Sequence, residues 1–402
     1  MVKSWAMSSL LALSVLSTAR AACDALDNYL DIPSPLTGDT TITLSVGVID
    51  CPALDADTNS MEVEQIVVEG GTLTIKSDNA VQFINVAFLI MPGAALVFDM
   101  PETLFGPNDS STEDFPSGSL IEIGAGSSLT FNGDATLQEV VNVDILLENF
   151  GSIEFKKTAL IENNVNAIPV NTGTLKFRGD ATFRGNDGIG VDNSDGGFVR
   201  FSKTVTFDDN GSQLEGFNGC DIQNDSTSKM SFRGDATFSN TRCRGAEGTP
   251  VFNSGVMTFY GKARFNDTNG RGNGGAVLNR LGSLTFRRAV QFNNNEAGDF
   301  GGGIAVEGGD VTFKRAVKFS GNTADSGGAF AVLSGQIFRN GEVVESGVGS
   351  LTFEKPSVVR FADNTIVGDT EFSIDDNCTV GEVEEGATLI GFPGDDVCVS
   401  AT

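Results

Sequence analysis

Three consecutive stretches of the chain spell one pattern: MTFYGKARFNDTNGRGNGGAVLNRLG (257–282), LTFRRAVQFNNNEAGDFGGGIAVEGG (284–309) and VTFKRAVKFSGNTADSGGAFAVLSG (311–335). Phe259, Phe286 and Phe313 stand 27 residues apart, and a second Phe follows each by six, at 265, 292 and 319. A fixed period of this size implies stacked units, because one unit cannot bury its apolar face alone. Within a unit, Leu284-Thr285-Phe286 and Val290-Gln291-Phe292 alternate with the period of 2 expected of strands. Ile304-Ala305-Val306 makes a third short apolar run, and the spacer Arg287-Arg288-Ala289 is too short for a crossover helix. The sequence therefore predicts an all-β chain folded as a right-handed parallel β-helix, a β-solenoid. Each coil has three short strands in about 22–27 residues, the hand following the general preference of parallel crossovers.

Outside these copies the same phase extends. First-strand Phe residues are expected at 131, 155, 177, 201, 232, 259, 286, 313 and 353, with surplus residues in lateral loops, chiefly 208–221 and 334–350. The organisation predicted is a secretory signal peptide over 1–22, an irregular cap and coils over 23–130, regular coils over 131–366 and a C-terminal cap over 367–402. The leader shows Lys3, an apolar run from Trp5 to Leu16 and an Ala19-Arg20-Ala21 cleavage site. Six cysteines fit an oxidising compartment and form three local groups: Cys23 with Cys51, Cys220 with Cys243, Cys378 with Cys398. The outer two groups would close the ends of the solenoid and the middle one would tie a loop to the next coil.

Charge and composition remove whole classes of function. A net charge of −27 argues against nucleic acid as partner. The chain has no His, which removes His-based acid–base chemistry, Ser-His-Asp triads and His metal ligation. No apolar run outside the leader is long enough to span a membrane.

Stacking turns every repeat position into a column, so function must be sought in columns. Asn164, Asn186, Asn210, Asn295, Asn322 and Asn364 recur three residues after the second strand's last apolar residue. A second set, Asn149, Asn171, Asn193, Asn224, Asn253 and Asn279, recurs at the end of the third strand. Asn accepts left-handed backbone at turns and can bond its counterpart in the next coil, so both sets read as structural ladders. The turn after the first Phe is basic: Arg233, Lys262, Arg287, Arg288, Lys314 and Arg315 lie there, as do Lys156, Lys157, Arg178, Lys203 and Lys355. Such a stripe would meet a linear anionic polymer. Two of these turns spell Arg-Gly-Asp, at 178–180 and 233–235, a sequence that also suits a tight turn. The acidic turns containing Asp192 and Asp195, and Asp208 and Asp209, offer oxygen ligands for Ca²⁺, the one cofactor the sequence suggests. Sequons for N-glycosylation begin at Asn108, Asn210, Asn224, Asn266 and Asn377.

The pairing of Phe-x-x-Asn with Gly-Gly-hydrophobic one turn later appears as Phe292…Asn295 with Gly302-Gly303-Ile304, and as Phe319…Asn322 with Gly327-Gly328-Ala329-Phe330. It resembles the repeats of the chlamydial polymorphic membrane proteins, which are β-helical surface adhesins. That resemblance implies a secreted, extracellular or wall-associated, non-catalytic β-helix that binds a cell-surface, wall or matrix component, with an anionic glycan as the partner suited to the stripe. The fold also resembles that of pectate lyases and polygalacturonases, which implies a polysaccharide lyase or hydrolase as the alternative. Two or more carboxylates with an Arg or Lys in one lateral groove would favour that alternative.

Overall fold

The computed structural model describes residues 40–44, 48–50, 52–54, 61–84, 86–106, 119–141, 145–212, 218–244, 248–339, 342–354, 359–366, 381–384, 388–390 and 397–400. The described residues are strands and turns, stacked in long parallel sheets: the chain is an all-β parallel β-helix. Among them no helix is long and apolar enough to cross a membrane. Two compact units can be distinguished, one of residues 1–169 and 173–179, the other of residues 170–172 and 180–402.

A coil of the C-terminal unit shows the rule. Its first strand is Ser283–Phe286 and its second Val290–Asn293. A two-residue bridging strand, Glu296–Ala297, then precedes the third strand, Ile304–Glu307. Each pairs in parallel with its equivalent one coil away: Phe286 lies opposite Phe259 and Phe313, Phe292 opposite Phe265 and Phe319. The bridging strand is an addition to the three expected, and it forms its own six-stranded ribbon running from Gly211–Ser212 to Thr365–Ile366.

Alternation explains what is inside. Thr285 and Gln291 face out while Leu284, Phe286, Val290 and Phe292 are buried. The Phe rings make two columns. Phe286 stacks between Phe259 at 4.9 Å and Phe313 at 5.1 Å, with rings nearly parallel, and meets Phe265 and Phe292 edge-on at 6.3 and 6.2 Å. Stacked within a column and T-shaped between columns, the rings adopt the two arrangements their quadrupoles favour.

Pairing extends on both sides of the segment where the sequence period is regular. In the N-terminal unit, Thr40–Thr43 already pairs with Thr72–Lys76, and that strand with Ala95–Asp99. At the other end of the C-terminal unit, Gly381–Glu384 and Val397–Ser400 continue the third sheet and Thr388–Ile390 the first. The surplus at 334–350 is an extension of the third strand: Phe330–Arg339 turns back as Glu342–Val348 in an antiparallel hairpin.

Candidate functional site

The basic turns form one edge, because each first-turn residue donates its backbone N–H to the Phe carbonyl of the preceding coil. Examples are Arg233 to Phe201, Tyr260 to Phe232, Arg287 to Phe259, Lys314 to Phe286 and Glu354 to Phe313. The column Arg233, Tyr260, Arg287, Lys314, Glu354 is therefore continuous, and it is not purely cationic. Tyr260 is held between two guanidinium groups, Arg233 at 4.1 Å and Arg287 at 5.0 Å from its ring centroid. Lys314 bonds Glu354 at 2.6 Å. In the N-terminal unit Arg178 bonds Glu154. Repulsion between stacked cations is thus relieved within the protein, by an aromatic face or a carboxylate.

The cations that remain sit one or two positions further along. Arg288 and Arg315 are exposed and make no ion pair with a described carboxylate, and neither does the exposed Lys262. Beside them the outward column of the second strands reads Arg264, Gln291, Lys318, Arg360 in direct register. Arg264, Lys318 and Arg360 were not legible as part of the stripe, since they lie in a different column of the sequence repeat. Only the pairing shows that the turn and the adjoining face make one basic corner. Lys355 lies outside the described residues.

The Arg-Gly-Asp turns have a structural explanation. Asp180 and Asp235 accept from the backbone N–H groups of Thr204 at 3.0 Å and Lys262 at 2.9 Å, pinning the next turn. A Cβ on Gly234 would sit 2.3 Å from the Lys203 carbonyl, so only Gly allows the coils to stack there.

The two asparagine columns lie inside. Asn171, Asn193, Asn224 and Asn253 each donate Nδ2 to the next Oδ1 in line at 2.7 Å, ending on Asn279, whose own Nδ2 donates to the Gly282 carbonyl at 2.9 Å. In the N-terminal unit Asn149 bonds the Thr174 carbonyl, and Asn164 accepts from the Val140 N–H. In the other column Asn186 donates to Asn210, Asn295 to Asn322 and Asn322 to Asn364, at 3.0, 2.9 and 2.8 Å. The left-handed residue is not the ladder Asn, as its turn chemistry had suggested. It is the residue before it: Asn163, Gly185, Asp209, Asn294, Gly321 and Asp363 all have positive φ.

Thr241 and Thr268 occupy two rungs, and a Thr has no amide to span a coil. At Thr241 the gap is filled by Asp221, which accepts from Asn210 Nδ2 at 2.9 Å and Thr241 Oγ1 at 2.8 Å. Burial pushes the Asp221 carboxyl up to about 7, against the opposing effect of these hydrogen bonds. Asp221 was missed because no repeat position predicts it; it sits in a register shift between Gly219 and Ile222. The same segment carries Cys220, joined to Cys243 by a disulfide with Cα atoms 5.8 Å apart. Cys23, Cys51 and Cys378 lie outside the described residues, as does the side chain of Cys398.

The acidic turns do not converge. Asp192 lies on the third strand, where burial, then Asp225 and Asp195, push its carboxyl up to about 6, opposed by a hydrogen bond from Gln223. Asp195 follows in the turn and donates its N–H to Asp225. Asp208 ends a second strand and accepts from Ser239 and Asn240, and Asp209 is the left-handed residue next to it. Among the described residues no three Asp, Glu or Cys side chains group to hold a metal ion.

A second feature lies on the ribbon of bridging strands. A cleft of about 410 Å³ is lined by Arg244, Asn269, Gly270, Arg271, Glu296 and Gly298. Beside it is one of about 240 Å³ whose walls include Asp187, Asp209, Asn240, Arg242 and again Arg244. Register aligns Gly211, Arg242, Asn269 and Glu296 along the ribbon. These residues fall in the irregular part of each repeat, so the sequence alone gave them no common position. No protein-family model, curated protein or solved structure matches this chain.

Proposed function

We propose that the protein is a secreted, non-catalytic β-helix that binds an anionic glycan of a cell surface, wall or matrix along its basic corner. The observation that carries this is the register that aligns Arg264, Lys318 and Arg360 along the second strands, directly after the turns that hold Arg287, Arg288, Lys314 and Arg315, in a chain of net charge −27. Coils stack at ~4.8 Å, so the corner offers cations at a regular spacing a polyuronate or sulfated chain can follow. The acid elsewhere repels such a polymer and confines it to this corner. The likeness of the repeats to those of the chlamydial surface adhesins is in keeping with this role. Binding of polygalacturonate and of a sulfated glycan to the immobilised protein tests it. Replacing Arg287, Arg288, Lys314 and Arg315 by Gln should abolish binding and leave the melting temperature nearly unchanged. Equal binding by both proteins, or none by either, overturns the proposal.

A second reading, a polysaccharide lyase or hydrolase, draws on the smaller cleft, which brings Asp187 and Asp209 together with Arg242 and Arg244. Release of shortened oligosaccharides, lost in Asp187→Asn and Asp209→Asn variants, would establish it over the first.

A further inference from the structure

The larger cleft on the bridging ribbon belongs to neither the ladders nor the basic corner, and its chemistry is specific. We infer that it is a discrete binding site for a single acidic sugar unit, a ligand carrying one carboxylate among several hydroxyls. Its volume, about 410 Å³, falls in the roughly 300–1,000 Å³ range of small-molecule sites. Arg244 and Arg271 are exposed at its wall, and neither makes an ion pair with a described carboxylate. Arg271 is oriented by a 3.4 Å hydrogen bond from Nη1 to the Arg244 carbonyl, which leaves the rest of its donor fork uncommitted. A guanidinium fork matches a carboxylate bidentately.

The remaining wall selects against a bare anion. Glu296 faces the same cleft and one of its oxygens accepts from Asn269 Nδ2 at 2.8 Å. Its other oxygen makes no hydrogen bond to a described residue and can accept from a hydroxyl. A sulfate, all acceptor, would be repelled there. A sugar acid presents a carboxylate to the arginines and hydroxyls to Glu296 and Asn269. Gly270 and Gly298 bring backbone rather than side chain to the wall, which keeps it open. A Cβ at position 298 would lie 1.9 Å from the Arg271 carbonyl, so Gly is required there for the two coils to stack.

The inference does not depend on the corner, and its test separates the two. Galacturonate and glucuronate, each as monomer and trimer, with glucose and inorganic sulfate as controls, would be titrated calorimetrically against the full chain. Saturable binding of the sugar acids is expected, with neither control binding. The paired substitution Arg244→Gln, Arg271→Gln should weaken it at least tenfold, and Glu296→Ala should also weaken it. The four-residue corner variant should bind the monomers unchanged. Monomer and trimer binding equally would place one unit in the cleft; a much tighter trimer would show a polymer as source, with neighbouring units held outside it. As a readout that needs no variant to fold, the trimer should protect Arg244 and Arg271 from phenylglyoxal. Absence of saturable binding, sulfate binding as well as the sugar acids, or binding that survives loss of both arginines overturns the inference.

Discussion

The interior of the C-terminal unit and its first-turn edge are built from the same coils yet follow opposite rules. Inside, identity repeats: Phe259, Phe286 and Phe313 stack on one another, as do Phe265, Phe292 and Phe319. On the edge, identity is broken, as Arg233, Tyr260, Arg287, Lys314 and Glu354 follow in one column. The difference is physical. A ring stacked on a like ring, or an amide on a like amide, gains contact with every added coil. A cation stacked on a like cation at ~4.8 Å is repelled, so each of the adjacent pair Arg287 and Lys314 has a ring or an acid on its other side, Tyr260 and Glu354.

The interior half of this contrast carries the largest energies. Phe286 is 1 % exposed and touches rings on four sides. Phe286→Ala should destabilise the protein by ~3–5 kcal/mol, the usual loss for a buried aromatic, measured in denaturant melts. A loss below about 1 kcal/mol would mean that the column does not hold the coils together.

Next in size is the amide column. Asn322 accepts from both the N–H and the Nδ2 of Asn295 and donates to the Phe292 carbonyl. Asn322→Ala should cost ~2–4 kcal/mol, since each buried polar group left unpaired costs ~1–3 kcal/mol. Two sequons fall on such rungs. Asn210 and Asn224 are buried, at 2 % and 0 % exposure, so their use as glycan acceptors is incompatible with the folded ladder.

The repaired rung gives a pH dependence. The Asp221 carboxyl is raised from 3.8 to about 7, so the folded protein binds its proton more tightly than the unfolded chain. The stability it contributes is fully present below about pH 4 and is lost as pH rises toward 7. Asp221→Asn should flatten the wild-type fall in melting temperature across that window. The smaller slope that remains should include Asp192, raised to about 6, and Asp192→Asn should reduce it further. An unchanged slope in Asp221→Asn would mean that its carboxyl is not confined as described.

The edge half carries the smallest energies. Tyr260→Leu removes the ring between two guanidinium groups and should cost only ~0.5–1 kcal/mol per cation, as expected at an exposed site.

The same contrast explains what the sequence discloses. The Phe and Asn columns were legible because period and residue type coincide: a Phe six residues after a Phe, an Asn three residues after that. The basic turn was legible as composition, but its internal pairing was not. Glu354 and Tyr260 carry no positive charge and are not legible in the sequence as part of the stripe; the register places them in contact with it. Arg264, Lys318 and Arg360 were hidden because neighbouring columns become one surface only after the coil closes. The clefts were hidden more deeply, since Arg244, Arg271 and Glu296 come from the least repetitive part of the coil. Asp221 gave no signal at all, being a local answer to Thr241.

The central claim is that the unpaired cations of the corner are the contact for an anionic polymer. The most direct test compares polygalacturonate affinity, across a series of salt concentrations, for three proteins: Arg288→Gln, Arg315→Gln, Lys318→Gln together; Arg287→Gln alone; and Glu354→Gln alone. The triple variant should lose most of the affinity and most of its salt dependence, because exposed charges act within a Debye length of ~8–10 Å. Arg287→Gln, already engaged with Tyr260, should lose little, and Glu354→Gln should bind more tightly by releasing Lys314. A triple variant that binds with wild-type affinity and wild-type salt dependence would contradict the account.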